Sequence, residues 1–275
     1  MNLIKFIESF TDENLLNAKS SRRDSFNGFK KLGTNAALAA LPFGIASLVM
    51  APTKANAANA AFLSTTTTDP TASLQLALIL EYLEDEFYQI ALDTNGLIPA
   101  SDQAIIAQIS QHESAHVQFL MSALGNMAPE KPTFDFTAGG AFPAFEDYPT
   151  FLALSQAFED TGVRAYKGQA TSLMSNGDLL TAGLQIHSVE ARHASQIRRL
   201  RGQKGWIVGS DRGGLPQAAQ PVYDGEQNTM QAGFNTSTVN NGTNGPIIPA
   251  AAGPESFDEP ITGTQAETIA GLFIV

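Results

Sequence analysis

The chain has 275 residues, of which 43% are hydrophobic, and this is enough to bury the core of one or two domains. It has no cysteine, which excludes disulfide scaffolds, thiolate zinc sites, iron–sulfur clusters and cysteine nucleophiles. The formal net charge is −11 and is unevenly spread: residues 1–60 hold 7 basic and 4 acidic residues, whereas residues 61–275 hold 9 basic and 23 acidic residues. Because an acidic body repels phosphates, we expect no nucleic-acid partner.

The first 60 residues differ from the rest of the chain. Two adjacent arginines, Arg22 and Arg23, are followed by a weakly apolar run over 32–51 and by small residues around Ala58. This order is typical of an export signal, and the paired arginines resemble a twin-arginine signal. We therefore expect a protein of the periplasm or cell surface whose mature chain begins near Ala58. The alternative is an unprocessed, retained N-terminal arm that packs on the body or on a neighbouring subunit.

Four helical patterns follow between residues 73 and 201. Capping residues and Asn-Gly turns predict helices over 73–92, 101–124, 150–174 and 178–201. The first two and the last two are joined by short turns, whereas a long segment, residues 126–149, joins the second helix to the third. Two close hairpins with one long crossover predict an all-α four-helix bundle.

The chain changes character again after the fourth helix. Residues 202–260 contain 10 of the 23 glycines, so no long helix is expected there. Several apolar residues favour order against the bundle, namely Trp206, Ile207, Val208, Val222, Tyr223, Ile247 and Ile248. The last residues, 264–275, predict a short helix with an apolar tip. We thus divide the chain into an arm or signal (1–60), a bundle (61–201) and an irregular C-terminal extension (202–275).

Each predicted helix places at least one carboxylate on its inner, apolar stripe. The inward polar residues are Glu81 and Glu84 in the first helix, Glu113 and His116 in the second, Glu159 in the third, and Glu190 and His193 in the fourth. An unpartnered buried ion costs several kcal/mol, and these stripes contain no Lys or Arg. Four carboxylates, together with two neutral imidazoles, would balance the charge of two divalent cations. Oxygen and nitrogen ligands suit iron or manganese.

An internal repeat supports this interpretation. Glu81 precedes Glu113 by 32 residues and Glu159 precedes Glu190 by 31, with a His three residues after each second Glu. A Tyr lies seven residues after each first Glu, at Tyr88 and Tyr166, and we expect both tyrosines to pack beside the centre and hydrogen-bond there. Three further expectations concern the remaining polar residues: Glu84 is a candidate extra ligand, His112 and His187 lie beside the centre or at the surface, and Asp85 and Glu86 are solvated.

The sequence resembles the ferritin-like superfamily, and more closely the bacterial ferritin-like domain proteins called desiccation-associated. The matching stretches are Leu80-Glu81-Tyr82-Leu83-Glu84-Asp85-Glu86-Phe87-Tyr88, Glu113-Ser114-Ala115-His116, Phe158-Glu159-Asp160-Thr161-Gly162-Val163, Glu190-Ala191-Arg192-His193 and Arg201-Gly202-Gln203-Lys204-Gly205-Trp206. The resemblance implies a carboxylate-bridged centre of two iron ions, or alternatively manganese. Within it, Glu113 and Glu190 would bridge, and Glu81, His116, Glu159 and His193 would be terminal ligands.

The resemblance also implies a reaction with dioxygen or peroxide, such as iron oxidation or protection against oxidative or desiccation stress. The absence of cysteine argues against the rubrerythrin-like peroxidases, which carry a cysteine-ligated iron. A competing hypothesis is a structural, self-assembling protein that uses the bundle as a building block. The low charge and the polar, glycine-rich extension suit self-association, so either hypothesis predicts a homo-oligomer or a larger assembly.

Overall fold

A computed structural model describes residues 70–238 and 249–275, and its main feature is a four-helix bundle. The helices are α1 (Pro70–Asp93), α2 (Gln103–Leu124), α3 (Tyr148–Leu173) and α4 (Gly177–Leu200). The all-α bundle predicted from the sequence is therefore confirmed. The expected arm or export signal at 1–60 lies outside the described residues, as do Ile247 and Ile248. Among the helices that the structure describes, none is long and apolar enough to cross a membrane.

The predicted helix limits lie within three residues of the observed ones, and the end of α2 at Leu124 is predicted without error. Helix α3 begins before Pro149, because proline is tolerated in the first turn and Asp147 caps the helix by accepting the Thr150 N–H. Asp102 is the expected cap of α2, but its carboxylate makes no capping hydrogen bond. It accepts a hydrogen bond of 2.8 Å from the Tyr148 hydroxyl instead, which ties the start of α2 to the start of α3.

The long crossover sets the direction of the helices. Helix α1 runs antiparallel to α3, since Ser73 donates a hydrogen bond to Gln169 at one end and Phe87 stacks on Phe151 at the other. The crossover between α2 and α3 runs the length of the bundle, so these two helices are parallel. Two apolar clusters, one around Phe87 and one around Leu78, fill the two halves of the interior. The layer between them is polar.

The C-terminal extension is mostly irregular, as predicted. It contains short 3-10 helices, a small antiparallel hairpin of β1 (Met230–Gln231) and β2 (Phe234–Asn235), and helix α5 (Gly263–Ala270). The apolar tip after α5 pairs with the crossover, where Val275 donates to the Thr133 carbonyl and Asp135 donates to the Phe273 carbonyl. Contrary to the expectation from the sequence, Trp206 does not pack on the bundle. It is 49% exposed and donates its indole N–H to Glu255.

One buried arginine of α3 anchors this extension. Arg164 is 1% exposed and forms an ion pair of 2.8 Å with the buried Glu226. The Nε–H that faces Glu226 also donates to the Glu259 carbonyl, and the two terminal nitrogens donate to the carbonyls of Val222 and Asp224 in the extension. The extension is therefore held to the bundle by charge-assisted hydrogen bonds as well as by apolar contact.

Candidate metal centre

The predicted ligands meet in the polar layer between the two apolar clusters. All four predicted glutamates, one from each helix, are completely buried, with 0% exposure. His193 is also buried, whereas the side chain of His116 remains 12% exposed. The structure thus brings together the six predicted ligands.

The six residues form two overlapping groups of four. The first group is Glu81, Glu113, His116 and Glu190, and the second is Glu113, Glu159, Glu190 and His193. Within each group, one potential ligand atom per residue lies within 4.8 Å of all the others. Glu113 and Glu190 belong to both groups, which is the arrangement that two cations sharing bridging carboxylates require.

The polar atoms of this layer crowd together without completing a hydrogen-bond network. The Nδ1 of His116 lies 3.1–3.2 Å from oxygens of Glu81, Glu113 and Glu190. The Nδ1 of His193 lies 2.8 Å from Glu113 Oε1 and 3.3 Å from Glu159 Oε2. Despite these short distances, five buried atoms make no hydrogen bond of acceptable geometry with any described residue, namely Glu113 Oε1, Glu159 Oε2, both Glu190 oxygens and His193 Nδ1. Buried polar atoms are rarely left unpaired, and a cation between them would satisfy all five.

The ionisation of the cluster reflects burial and mutual repulsion. Burial raises the pKa of Glu113 to about 7, and burial together with the charges of Glu113 and Glu81 raises that of Glu190 well above its usual range. Burial alone would lower the pKa of His193, but the surrounding carboxylates, Glu159 foremost, raise it to about 11. Without metal, protons on the imidazoles therefore provide the positive charge that the carboxylates need. Metal ions would replace those protons.

Two tyrosines each donate a hydrogen bond to a predicted terminal ligand, Glu159 or Glu81, on the other helix hairpin. Tyr88 of α1 donates its hydroxyl to Glu159 of α3 at 2.6 Å, and Tyr166 of α3 donates to Glu81 of α1 at 2.5 Å. Burial raises the pKa of both phenols well above the usual value, so both remain donors at any physiological pH. Each hydrogen bond leaves the second oxygen of its carboxylate facing the cluster.

The other two histidines occupy different positions. His112 Nδ1 lies 2.9 Å from His193 Nε2, and His112 Nε2 lies 2.9 Å from the side-chain nitrogen of the exposed Gln108. His193 therefore faces the carboxylates with its Nδ1, and His112 contacts Nε2 on the opposite edge of the same ring. His187 lies outside both groups, with its Nδ1 2.9 Å from the Val163 carbonyl oxygen.

Glu84 is buried but lies outside both groups of four. Its carboxylate borders Gly162 of α3, where a Cβ atom would lie 3.4 Å from Glu84 Oε1 and only 3.2 Å from Glu190 Oε2. Gly162 therefore leaves room on α3 for these two carboxylates. Burial, followed by the nearby carboxylates, raises the pKa of Glu84 well above its usual range, which favours the neutral form of this side chain.

Sequence reasoning missed a second buried polar network beside the centre. Asp160, next to Glu159, forms an ion pair with Arg198 of α4 and accepts a hydrogen bond of 2.7 Å from Tyr223. Tyr223 belongs to the extension, so no helical spacing could have identified it as a partner. The network fixes α3, α4 and the extension to one another close to the predicted ligands.

An antiparallel pair of helix hairpins with one long crossover and a buried carboxylate–imidazole cluster defines the ferritin-like class of proteins. Comparison with known families agrees, because residues 69–203 match the family described as "Ferritin-like domain". The chain therefore contains a ferritin-like domain, and that domain holds all six predicted ligands. A search of curated proteins found no match.

Proposed function

We propose that this protein binds two iron ions, or manganese ions in the alternative, in the centre of its ferritin-like domain and that the centre reacts with dioxygen or peroxide. The observation that carries the proposal is the pair of overlapping four-residue groups, whose unpaired atoms point at one another. Four carboxylates and two neutral imidazoles balance the charge of two divalent ions, and hard oxygen and nitrogen donors suit iron and manganese.

In this proposal each residue has a defined task. Glu81 and His116 would hold one ion, Glu159 and His193 would hold the other, and Glu113 and Glu190 would contribute to both sites. When bound, two adjacent iron ions supply the electrons that dioxygen or peroxide accepts. Of the six side chains only His116 is more than a tenth exposed, so its edge is the route by which ions reach the centre.

The residues around the ligands orient them and exclude water. Tyr88 and Tyr166 each occupy one oxygen of a terminal carboxylate and direct the other inward. His112 holds the outer edge of the His193 ring. The two apolar clusters above and below the layer keep bulk water from the ligands, which strengthens electrostatic interactions with a cation.

The first test is a metal count. Protein purified without chelator, or reconstituted with Fe²⁺ or Mn²⁺, should contain about two ions per chain, as in other two-metal sites. The Glu113→Ala variant, which removes a shared carboxylate, should lose both ions. Glu130→Ala removes an exposed carboxylate and is the matched control, with an unchanged metal content. Failure of the wild-type protein to retain either metal would refute the proposal.

The second test concerns the reaction. Stopped-flow absorbance after addition of Fe²⁺ in air should show oxidation by the wild-type protein and by Glu130→Ala, but only the background rate with Glu113→Ala. Identical traces for all three proteins would instead favour the structural hypothesis. Met174, Phe234 and Met230 are 69%, 58% and 50% exposed, and contact between copies through these side chains would agree with either hypothesis.

The proposal includes a location and an assembly. A twin-arginine signal would export the protein already folded, with its metal inserted in the cytoplasm away from competing copper and zinc. We thus propose an extracytoplasmic homo-oligomer of the desiccation-associated type that acts against oxidative or desiccation stress. N-terminal sequencing of native protein should give a start near Ala58. A start at Met1 would reject processing and favour the retained arm.

A further inference from the structure

A second cavity lies where α3, the crossover and the C-terminal extension meet, and it shares no residue with the candidate metal centre. Its volume is about 530 Å³, within the range of about 300–1,000 Å³ typical of pockets for small organic molecules. The walls are mostly apolar, with large side chains from each of the three segments, including Phe142, Leu154, Phe158, Leu215, Val222 and Phe273. Such walls suit a hydrocarbon chain.

One charged residue, Arg201, lines this cavity. Its guanidinium donates to the Gln156 side chain and to the Gly213 carbonyl, both neutral acceptors. Within the described residues no carboxylate lies within 4.0 Å of it. The nearby Asp160 is already engaged by Arg198 and Tyr223. The wall of the cavity therefore carries a positive charge that no acidic side chain balances.

We infer that this cavity binds a single-chain carboxylic acid of the fatty-acid type, with its carboxylate at Arg201 and its chain along the apolar walls. Arginine presents its N–H groups in a fork that matches a carboxylate, and such charge-assisted hydrogen bonds are about twice as strong as neutral ones. An alcohol of equal length would gain the apolar contacts but not the ion pair. An alkylammonium ion would be repelled.

The test is calorimetric titration of the full-length protein with decanoate, using 1-decanol as the uncharged probe of equal length. We expect one decanoate per chain and binding of decanol at least tenfold weaker. Arg201→Gln should weaken decanoate binding at least tenfold while leaving decanol binding unchanged. Arg199→Gln, an exposed arginine in the last turn of α4 just before Arg201, is the matched control and should bind like wild type.

A variant that fills the cavity provides an independent test. Ala153 lines the cavity from α3, so Ala153→Trp should abolish binding of both probes without affecting the metal content. Equal binding of decanoate and decanol would overturn the inference, as would wild-type affinity in Arg201→Gln. A wild-type protein that binds neither probe would overturn it as well, since that result is expected if another part of this chain or a second copy fills the cavity.

Discussion

Two tyrosine hydroxyls set the position of two carboxylates at the candidate centre. Tyr88 and Tyr166 come from equivalent places in the two hairpins, and each reaches across to the glutamate of the other hairpin. The arrangement repeats the internal symmetry visible in the sequence. A partner that orients a ligand contributes to metal affinity although it does not touch the ion.

We predict that Tyr88→Phe and Tyr166→Phe each lower metal affinity by about 10- to 100-fold, the usual cost of losing such a partner. By symmetry the two losses should be similar. Competition titrations of Mn²⁺ against a chelator would measure them. Tyr148→Phe is the matched control, because this hydroxyl also donates to a carboxylate but lies outside the centre. Wild-type affinity in both variants would contradict the assigned role.

Some residues of the site could be predicted from the sequence, whereas some of their contacts could not. Seven-residue spacing identifies the six predicted ligands, because a carboxylate at a core position is conspicuous against Leu and Ile. It does not reveal that His112 contacts His193, since the two lie 81 positions apart on helices whose relative rotation is set by packing. Arg164 and Asp160 lie off the inner stripes, and partners in the extension account for their burial.

At the scale of elements, the extension depends on contacts between distant parts of the chain. Arg164 donates to carbonyls 58, 60 and 95 positions further along. Periodicity carries no information about such contacts, which explains why the bundle was predictable while the path of the extension was not. Helix ends were predicted only approximately, because a residue of a capping type does not always cap. Asp102, for example, accepts a hydrogen bond from Tyr148 instead.

We predict that Arg164→Met destabilises the protein by about 3–5 kcal/mol, because it leaves Glu226 buried without a counter-charge and three carbonyls without donors. The double variant Arg164→Met/Glu226→Gln should be less unstable than the sum of the single changes. Denaturant unfolding measures both. Lys204→Met breaks an exposed ion pair and should cost about 1 kcal/mol or less. An equally small effect at Arg164 would show that it does not anchor the extension.

Helix α5 contains a carboxyl group that makes stability depend on pH. Burial raises the pKa of Glu267 from 4.5 to about 7, so the folded protein binds a proton here that the unfolded chain releases. This contribution to stability is complete below about pH 4.5 and is lost as pH rises through about 7. Glu267→Gln should therefore stabilise the protein by about 1 kcal/mol at pH 8, after allowance for partial exposure, and much less at pH 5.

Urea unfolding of wild type and Glu267→Gln at the two pH values measures that difference. Glu130→Gln changes an exposed carboxylate and serves as the control, with no expected effect at either pH. A gain that is the same at pH 5 and pH 8 would mean that titration of Glu267 is not its cause.

At the scale of the whole molecule, the fold concentrates negative charge where an ordinary bundle is apolar. Four completely buried glutamates lie in one layer between two apolar clusters. Their mutual repulsion opposes folding, and two imidazoles offset only part of it. Metal binding at this layer would therefore be coupled to folding, since a cation that binds the assembled layer has no equivalent site in the unfolded chain.

We predict that Mn²⁺ at about 100 times its dissociation constant raises the melting temperature of the protein by about 5–10 °C. This corresponds to about 2.7 kcal/mol of binding free energy in a domain of this size. Without metal, Glu113→Gln should melt at or above the temperature of wild type, because it removes a carboxylate whose burial is costly. Adding Mn²⁺ should raise the melting temperature of this variant only slightly. Glu130→Gln should respond like wild type. Equal metal-induced shifts in all three proteins, measured by calorimetry, would mean that Mn²⁺ binds elsewhere and that the buried layer is not its site.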